Sequence, residues 1–230
     1  MYVTAIVLAA GRGLRVKSKF PKPLIKINSR PIVIYCLQTI SRHPSIRDIV
    51  VVVNPQNLKA VIKKIKQFRI KKVKRIILGG QARQDSVCNG LKHMDARTDL
   101  VLIHDGVRPF IHKETISAAI KEAKKCGAAI VGVPVKATIK EVHGSQFTVQ
   151  RSLIVKKTLD RSKLWEIQTP QVFKKELILK AYRKFKGIAV TDDAMLVEKL
   201  GAKVSVVLGS YNNIKITTQE DLVLAEAILR

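Results

Sequence analysis

Apolar runs of strand length alternate with apolar residues at helical spacing through more than half of the chain. Val3–Leu8 reads as a buried strand, Pro31–Ser41 as a helix with proline at its start, Asp48–Val53 as a second strand and Pro55–Phe68 as a helix. Arg75–Leu78 is a short third strand, and Gly79-Gly80 is a loop that leads into a helix at Arg83–His93. Leu100–His104, Lys113–Lys125 and Ala128–Val133 continue as strand, helix and strand. This order predicts an α/β fold, a mostly parallel sheet covered by helices on both faces. Right-handed crossovers place the strand C-termini on one edge, where open α/β sheets bind ligands. Three loops fall on that edge: Ala9–Leu14, Gly79–Ser86 and Asp105–Pro109. From Val135 to Leu159 the pattern becomes apolar–polar alternation about His143-Gly144-Ser145, a hairpin signal with no helix after it. A projecting two-stranded arm is marginal alone, so a partner subunit is its expected support. No repeat or linker divides the chain, and the reading is one domain over residues 1–230 with a β-arm at about 135–160.

The first loop carries the chemistry. Ala9, Ala10, Gly11 and Gly13 let the backbone approach a ligand, and their amides can face phosphate or a base edge. Arg15 and Lys22 add positive charge nearby. Strand, glycine loop and cations suit a nucleoside triphosphate. Neither a G-x-x-x-x-G-K-[ST] nor a G-x-G-x-x-G motif occurs, so this is neither a P-loop nor a dinucleotide loop.

Composition narrows the classes. No apolar run approaches the ~20 residues that span a bilayer, and no basic segment precedes an apolar signal core, so a cytoplasmic protein without membrane attachment is expected. Cys36, Cys88 and Cys126 are far apart with no C-x-x-C, which argues for reduced, buried thiols rather than disulfides or zinc. The chain has 43 Lys+Arg against 17 Asp+Glu, a net charge of +26. The densest run is Lys59–Arg75, in which Val61, Ile62, Ile65 and Phe68 recur at helical spacing and leave the lysines outward. Aromatics are 5% and are not interleaved with it, which argues against base-stacking platforms. Weak, nonspecific polyanion adhesion through Lys63, Lys64, Lys66, Lys71 and Lys72 is the expectation.

Further segments complete the pattern: Gly79-Gly80-Gln81-Ala82-Arg83-Gln84-Asp85-Ser86, His104-Asp105-Gly106-Val107-Arg108-Pro109, Val135-Lys136-Ala137-Thr138-Ile139-Lys140, Asp160-Arg161-Ser162, Gln168-Thr169-Pro170-Gln171, Thr191-Asp192-Asp193-Ala194 and Asn213-Ile214-Lys215-Ile216-Thr217. In this order and spacing the chain resembles the 2-C-methyl-D-erythritol 4-phosphate cytidylyltransferase family over essentially its whole length. The resemblance implies a Rossmann-like nucleotidyltransferase fold, a homodimer by arm exchange, and use of CTP with Mg²⁺ bound mainly through the CTP phosphates and no protein metal site. It implies that CMP is joined to a polyol phosphate with release of diphosphate. Carried over by motif, Ala9, Ala10, Gly11, Gly80 and Ser86 hold the cytidine, with Asp85 beside them. Arg15 and Lys22 stabilise charge on the triphosphate. Asp105 and Lys215, with Thr138 and Arg161 from the partner's arm, hold the methylerythritol phosphate. Pro23 stands where the family commonly has Gln, and Ala137 where it commonly has Asp.

Plainer readings compete at single residues. Asp85 can cap the helix that follows, Asp192 and Asp193 can cap a helix after Thr191, and His104 reads as a packed strand-end histidine. Trp165 reads as core. The rival functions are a ribitol-5-phosphate cytidylyltransferase, or a polyanion-binding protein on a degenerate nucleotidyltransferase scaffold. If Arg15 and Lys22 act on transition-state charge, changing either to Ala lowers kcat on the order of 10²-fold while the KM for CTP changes little, as steady-state kinetics would record. An unchanged kcat would remove that residue from the chemistry.

Overall fold

A computed structural model describes residues 1–11, 21–143 and 153–229. In chain order the elements are β1 (Val3–Ala9), β2 (Lys26–Ile27), β3 (Arg30–Pro31), α1 (Ile32–Arg42), β4 (Ile46–Val53), α2 (Leu58–Gln67) and β5 (Val73–Leu78). Then come α3 (Arg83–Lys92), β6 (Leu100–Asp105), α4 (Lys113–Cys126), β7 (Ala128–Pro134), β8 (Lys140–His143) and β9 (Ile154–Thr158). The chain ends with β10 (Trp165–Lys174), α5 (Lys175–Lys184), α6 (Ala194–Glu198), β11 (Ser205–Leu208) and α7 (Gln219–Ile228).

Seven strands form one sheet in the order β11-β7-β10-β6-β1-β4-β5. β10 is antiparallel to both of its neighbours, and the remaining pairings are parallel. The alternation expected from the sequence is present, with ends differing by a residue or two. Pro31 caps α1 instead of starting it, and Pro55–Asn57 form a 3₁₀ turn ahead of α2.

The helices cover both faces, which is why the central strands are apolar throughout. All seven residues of β1 are buried. Along β4, Val51 and Val53 pack with Val61 and Ile65 of α2 on one face. Val50 and Val52 pack with Val87 and Leu91 of α3 on the other. Each such side chain contributes about 1.5–3 kcal/mol of burial. A third cluster, around Ile25, Ile27, Ile32, Ile216 and Ala225, seats α7. The chain leaves β1 toward β4 and β5 on one side, then returns to β6 on the other. The order therefore reverses at β1, and the loop after β1 opens into the resulting crevice.

β8 and β9 pair antiparallel as a separate two-stranded sheet, the expected arm; the expected turn at His143-Gly144-Ser145 lies largely outside the described residues. Two burial expectations are corrected. Trp165 is 39% exposed because it starts β10 at the sheet's end, opposite Pro134. Cys126, in the last turn of α4, is exposed and Cys88 is half-buried; only Cys36 is buried, and all three are free.

Asp48 on β4 is buried next to Thr4 of β1, and its Oδ1 has no hydrogen-bond partner. Arg75 Nη1 is 3.9 Å from Oδ2. Burial pushes this carboxyl above its ordinary range. A raised folded-state value means that the ionised form is disfavoured in the fold: the penalty is full above that value, shrinks as the pH falls below it, and vanishes only below the ordinary carboxylate value. Asp48→Asn should therefore raise Tm at pH 7 by a few degrees, at about 2–4 °C per kcal/mol for a chain of this size. Thermal melts should show the gain closing as the pH is lowered toward 4.

Candidate functional site

A cleft of about 720 Å³ opens at the C-terminal edge of β1, lined by the three loops that the topology places there. Its floor is backbone: Ala9, Ala10 and Gly11 after β1, and Gly79 and Gly80 after β5. Gly79 and Gly80 are forced by their neighbours. A Cβ on Gly79 would lie 2.6 Å from Ser86 Oγ and 2.8 Å from Ala10 Cβ, and one on Gly80 would run into Asp85 Cβ. Gly11 differs, because among the described residues a Cβ there would meet nothing within 4 Å. Its missing side chain leaves room for a ligand rather than for the fold.

Side chains fix these loops to each other. Ser86 Oγ accepts from Gly80 N and donates to Ala82 O, both at 3.2 Å. Asn54 Nδ2 donates to Ala10 O at 3.3 Å, while its Oδ1 accepts from Asn57 N at 2.9 Å. Asp85 accepts from Ala82 N at 2.9 Å and does not line the cleft. Its carboxylate starts α3, the plainer of its two expected roles.

Charge enters from Lys22, Arg83 and Lys215. Lys22, on the 3₁₀ turn Lys22–Leu24, is 8% exposed and lines the cleft with Pro23. Arg15 lies outside the described residues. Asp105, at the end of β6, is gripped from two sides: Lys215 Nζ is 2.7 Å from Oδ2 and Arg83 Nε is 3.2 Å from Oδ1. Burial alone would raise this carboxyl, but Arg83 and then Lys215 outweigh it and hold it well below the usual carboxylate range. Arg83 also reaches Asp193 Oδ2 at 2.9 Å, and Asp193 Oδ1 accepts from Tyr182 at 2.5 Å. These carboxylates in turn keep Arg83 charged despite its burial.

A second chamber of about 510 Å³ adjoins the first and shares Arg83, Asp105 and Lys215 with it. It adds Arg108, Thr169, Thr191 and Asp192 to the lining. Arg108 is 7% exposed; its Nη1 donates to Asn213 O at 2.8 Å, and its Nε has no hydrogen-bond partner. His104 is fully buried, with Nε2 donating to Arg108 O at 3.0 Å. Thr169 donates to His104 Nδ1 and accepts from Asp105 N. Burial pushes this imidazole down to about 4, so His104 is neutral at pH 7 and is the packed strand-end residue expected.

Asp192 and Asp193 flank the start of α6. Asp192 accepts from Met195 N at 3.1 Å, in agreement with capping, whereas the fully buried Asp193 makes no side-chain cap bond and instead pairs with Arg83, a correction to the expected cap. Thr138 and Arg161 are exposed and line neither chamber; Arg161 Nη1 donates to Lys136 O at 2.7 Å. Arg83, Arg108, Asn54 and Thr169 escaped sequence reasoning as site residues. The one available signal was their place in the loops and motifs on the ligand-binding edge.

The family model described as 2-C-methyl-D-erythritol 4-phosphate cytidylyltransferase matches residues 3–230. A relative of that name from Caldanaerobacter subterraneus subsp. tengcongensis is 44% identical over 233 residues, covering 100% of both chains. Another from Geobacillus kaustophilus is 43% identical, over 100% of this chain and 97% of that one. Among solved structures, 4-diphosphocytidyl-2C-methyl-D-erythritol synthase from Anaerococcus prevotii superposes with a TM-score of 0.85 at 35% identity, over 99% of this chain and 96% of the other.

Arg83→Met leaves two acidic neighbours, one of them fully buried, without their shared cation. Differential scanning calorimetry should show a loss of about 3 kcal/mol in stability. A melt like that of the parent would mean that the bridge does not organise the site.

Proposed function

The chain belongs to the 2-C-methyl-D-erythritol 4-phosphate cytidylyltransferase family, and on that premise we infer how its cleft works. It transfers CMP from CTP to 2-C-methyl-D-erythritol 4-phosphate, giving 4-diphosphocytidyl-2-C-methyl-D-erythritol and diphosphate in non-mevalonate isoprenoid biosynthesis. The fold is the Rossmann-like nucleotidyltransferase fold. The relatives carry the methylerythritol name over their full length, which leaves the ribitol phosphate and degenerate-scaffold readings without support.

The observation that carries the mechanism is the pair of joined chambers bridged by Lys215, Asp105 and Arg83. CTP takes the chamber with the backbone floor, where Ala9, Ala10, Gly11, Gly80 and Ser86 hold the cytidine. Lys22, with Arg15, meets the triphosphate. The polyol phosphate takes the second chamber. There Lys215 and Arg108 face its phosphate, and Asp105 and Thr169 have lone pairs left for its hydroxyls. Its phosphate oxygen is the nucleophile, mostly ionised at neutral pH because the second pKa is ~6. An O–P bond forms at the α-phosphorus as the bond to diphosphate breaks. No general base is needed. The barrier is the meeting of two polyanions, and fixed cations and amides lower it by positioning and by stabilising the charge that builds.

A divalent cation such as Mg²⁺, held through the CTP phosphates, would supply charge neutralisation there. Asp105 is the single carboxylate lining the first chamber among the described residues, and cations hold both of its oxygens. This donor set fits a metal held mainly by phosphate and water. The homodimer forms by arm exchange, and Thr138 and Arg161 complete the partner's second chamber. Exposed Leu153, Ile154 and Val155, at 48%, 69% and 53%, support a covered arm. Three free thiols support a cytoplasmic setting.

An end-point assay of diphosphate release should give product with CTP and methylerythritol phosphate, and little with ribitol 5-phosphate. CTP should be preferred over ATP by at least about tenfold in kcat/KM, a difference of ~1.4 kcal/mol. Equal use of ATP would overturn the cytidylyl assignment.

The basic face is a separate proposal: weak polyanion adhesion through Lys63, Lys64, Lys66 and Lys71. Lys72 drops out of the patch, because its ammonium donates to His43 O at 2.7 Å. With the four lysines changed to Gln, salt-sensitive retention on RNA should be lost and turnover kept. Loss of turnover in that folded variant would mean that the patch belongs to the site.

A further inference from the structure

The loop that carries Lys215 also grips the root of the arm. Tyr211 lies four positions before Lys215. Its hydroxyl donates to Pro134 O at 2.7 Å, and Lys136 Nζ stands 3.6 Å from the centre of its ring. The carbonyl of Lys136 accepts from Arg161 Nη1 at 2.7 Å, and Val135 N donates to Leu164 O at 3.0 Å. The outgoing and returning strands of the arm are therefore tied together where Tyr211 holds them. Toward the site, Asn213 Nδ2 donates to Gln168 Oε1 at 3.1 Å and to Thr169 O at 3.0 Å. Arg108 caps the Asn213 carbonyl, and Lys215 reaches Asp105. One short loop thus holds a substrate-facing cation at one end and the arm that presents Arg161 at the other.

Tyr211 is 44% exposed. A ring kept for core packing would be buried, so what Tyr211 supplies is its hydrogen bond and its face for the Lys136 ammonium. We propose that Tyr211 is a positioning residue that couples the two active sites of the dimer. The loop that grips methylerythritol phosphate through Lys215 in one subunit sets, through Tyr211, the direction in which Arg161 is delivered to the partner's site. This rests on the arm-exchange reading above. The coupling element is a physical chain of bonds from Lys215 to Arg161, and it needs no change of fold.

Tyr211→Leu removes both contacts and should raise the KM for methylerythritol phosphate about tenfold, leaving the KM for CTP and the thermal midpoint unchanged. Tyr211→Phe keeps the ring under Lys136 and should raise it less. A Tyr211→Leu enzyme with an unaltered polyol KM, or with both KM values raised alike, overturns the proposal. The direction of action is read in heterodimers of a wild-type subunit with a Lys215→Ala subunit, whose own site lacks its substrate cation. The working site then belongs to the wild-type subunit and receives the other subunit's arm. Adding Tyr211→Leu to the Lys215→Ala subunit should raise the polyol KM of that working site. An unchanged KM there, with the Tyr211→Leu homodimer affected, would confine Tyr211 to its own site and refute the coupling. Adding Arg161→Ala to the Lys215→Ala subunit instead should disable the working site. If that site stays fully active, arm exchange itself is what fails.

Discussion

Asp105 is the point on which the site depends. Its carboxylate ends β6 inside the protein, where an uncompensated charge would cost several kcal/mol. Two cations from distant parts of the chain remove that cost: Arg83 from the first turn of α3, and Lys215 from the loop before α7. The bond pattern is reciprocal. Asp105 keeps Lys215 and Arg83 in place, and Asp193 shares Arg83, so that α6 is drawn against the same centre. Asp105 thereby fixes two cationic groups at the junction of the two chambers, where their donors are held at set distances.

The sheet explains why this centre stands where it does. Order reversal at β1 splays the connections on either side and opens the crevice; the apolar ends of β1 and β4 offer no polar side chains there, and β6 offers Asp105 at its last position. Backbone amides and short side chains form the floor, and charge is brought in by the loops. The rigid part therefore sets distances, while the loops set chemistry.

The long strands β1 and β4 to β7, their helices and the first cleft were legible in the sequence, because two-sided burial writes itself as long apolar runs and because the three ligand loops follow strands; the two-residue strands β2 and β3 were not. β10 was not. Its sequence, WEIQTPQVFK, places Gln168, Thr169, Pro170 and Gln171 in the middle of the strand, where their polar side chains serve His104, Asp105, Asp192 and Asn213 instead of packing. Polar residues and proline at a strand centre erase the strand signal. Arg83 and Arg108 were hidden for the opposite reason. In a chain of 43 Lys+Arg, the half-buried Arg83 and the buried Arg108 look like any other arginine until their partners are seen. Trp165 shows the limit of reading burial from residue type, since position at the end of a sheet overrides hydrophobicity.

The glycines of the cleft separate two kinds of necessity. At Gly79 and Gly80 an added methyl collides with the protein itself, so a substitution there is removed by misfolding before catalysis is ever sampled. At Gly11 the same methyl meets nothing within 4 Å among the described residues. In a variant library scored separately for abundance and for turnover, the two classes fall on different axes. On the proposed reading, in which Gly11 lies against CTP, Gly11 is a steric gate that a complementary, trimmed nucleotide analogue would reopen after a methyl is added.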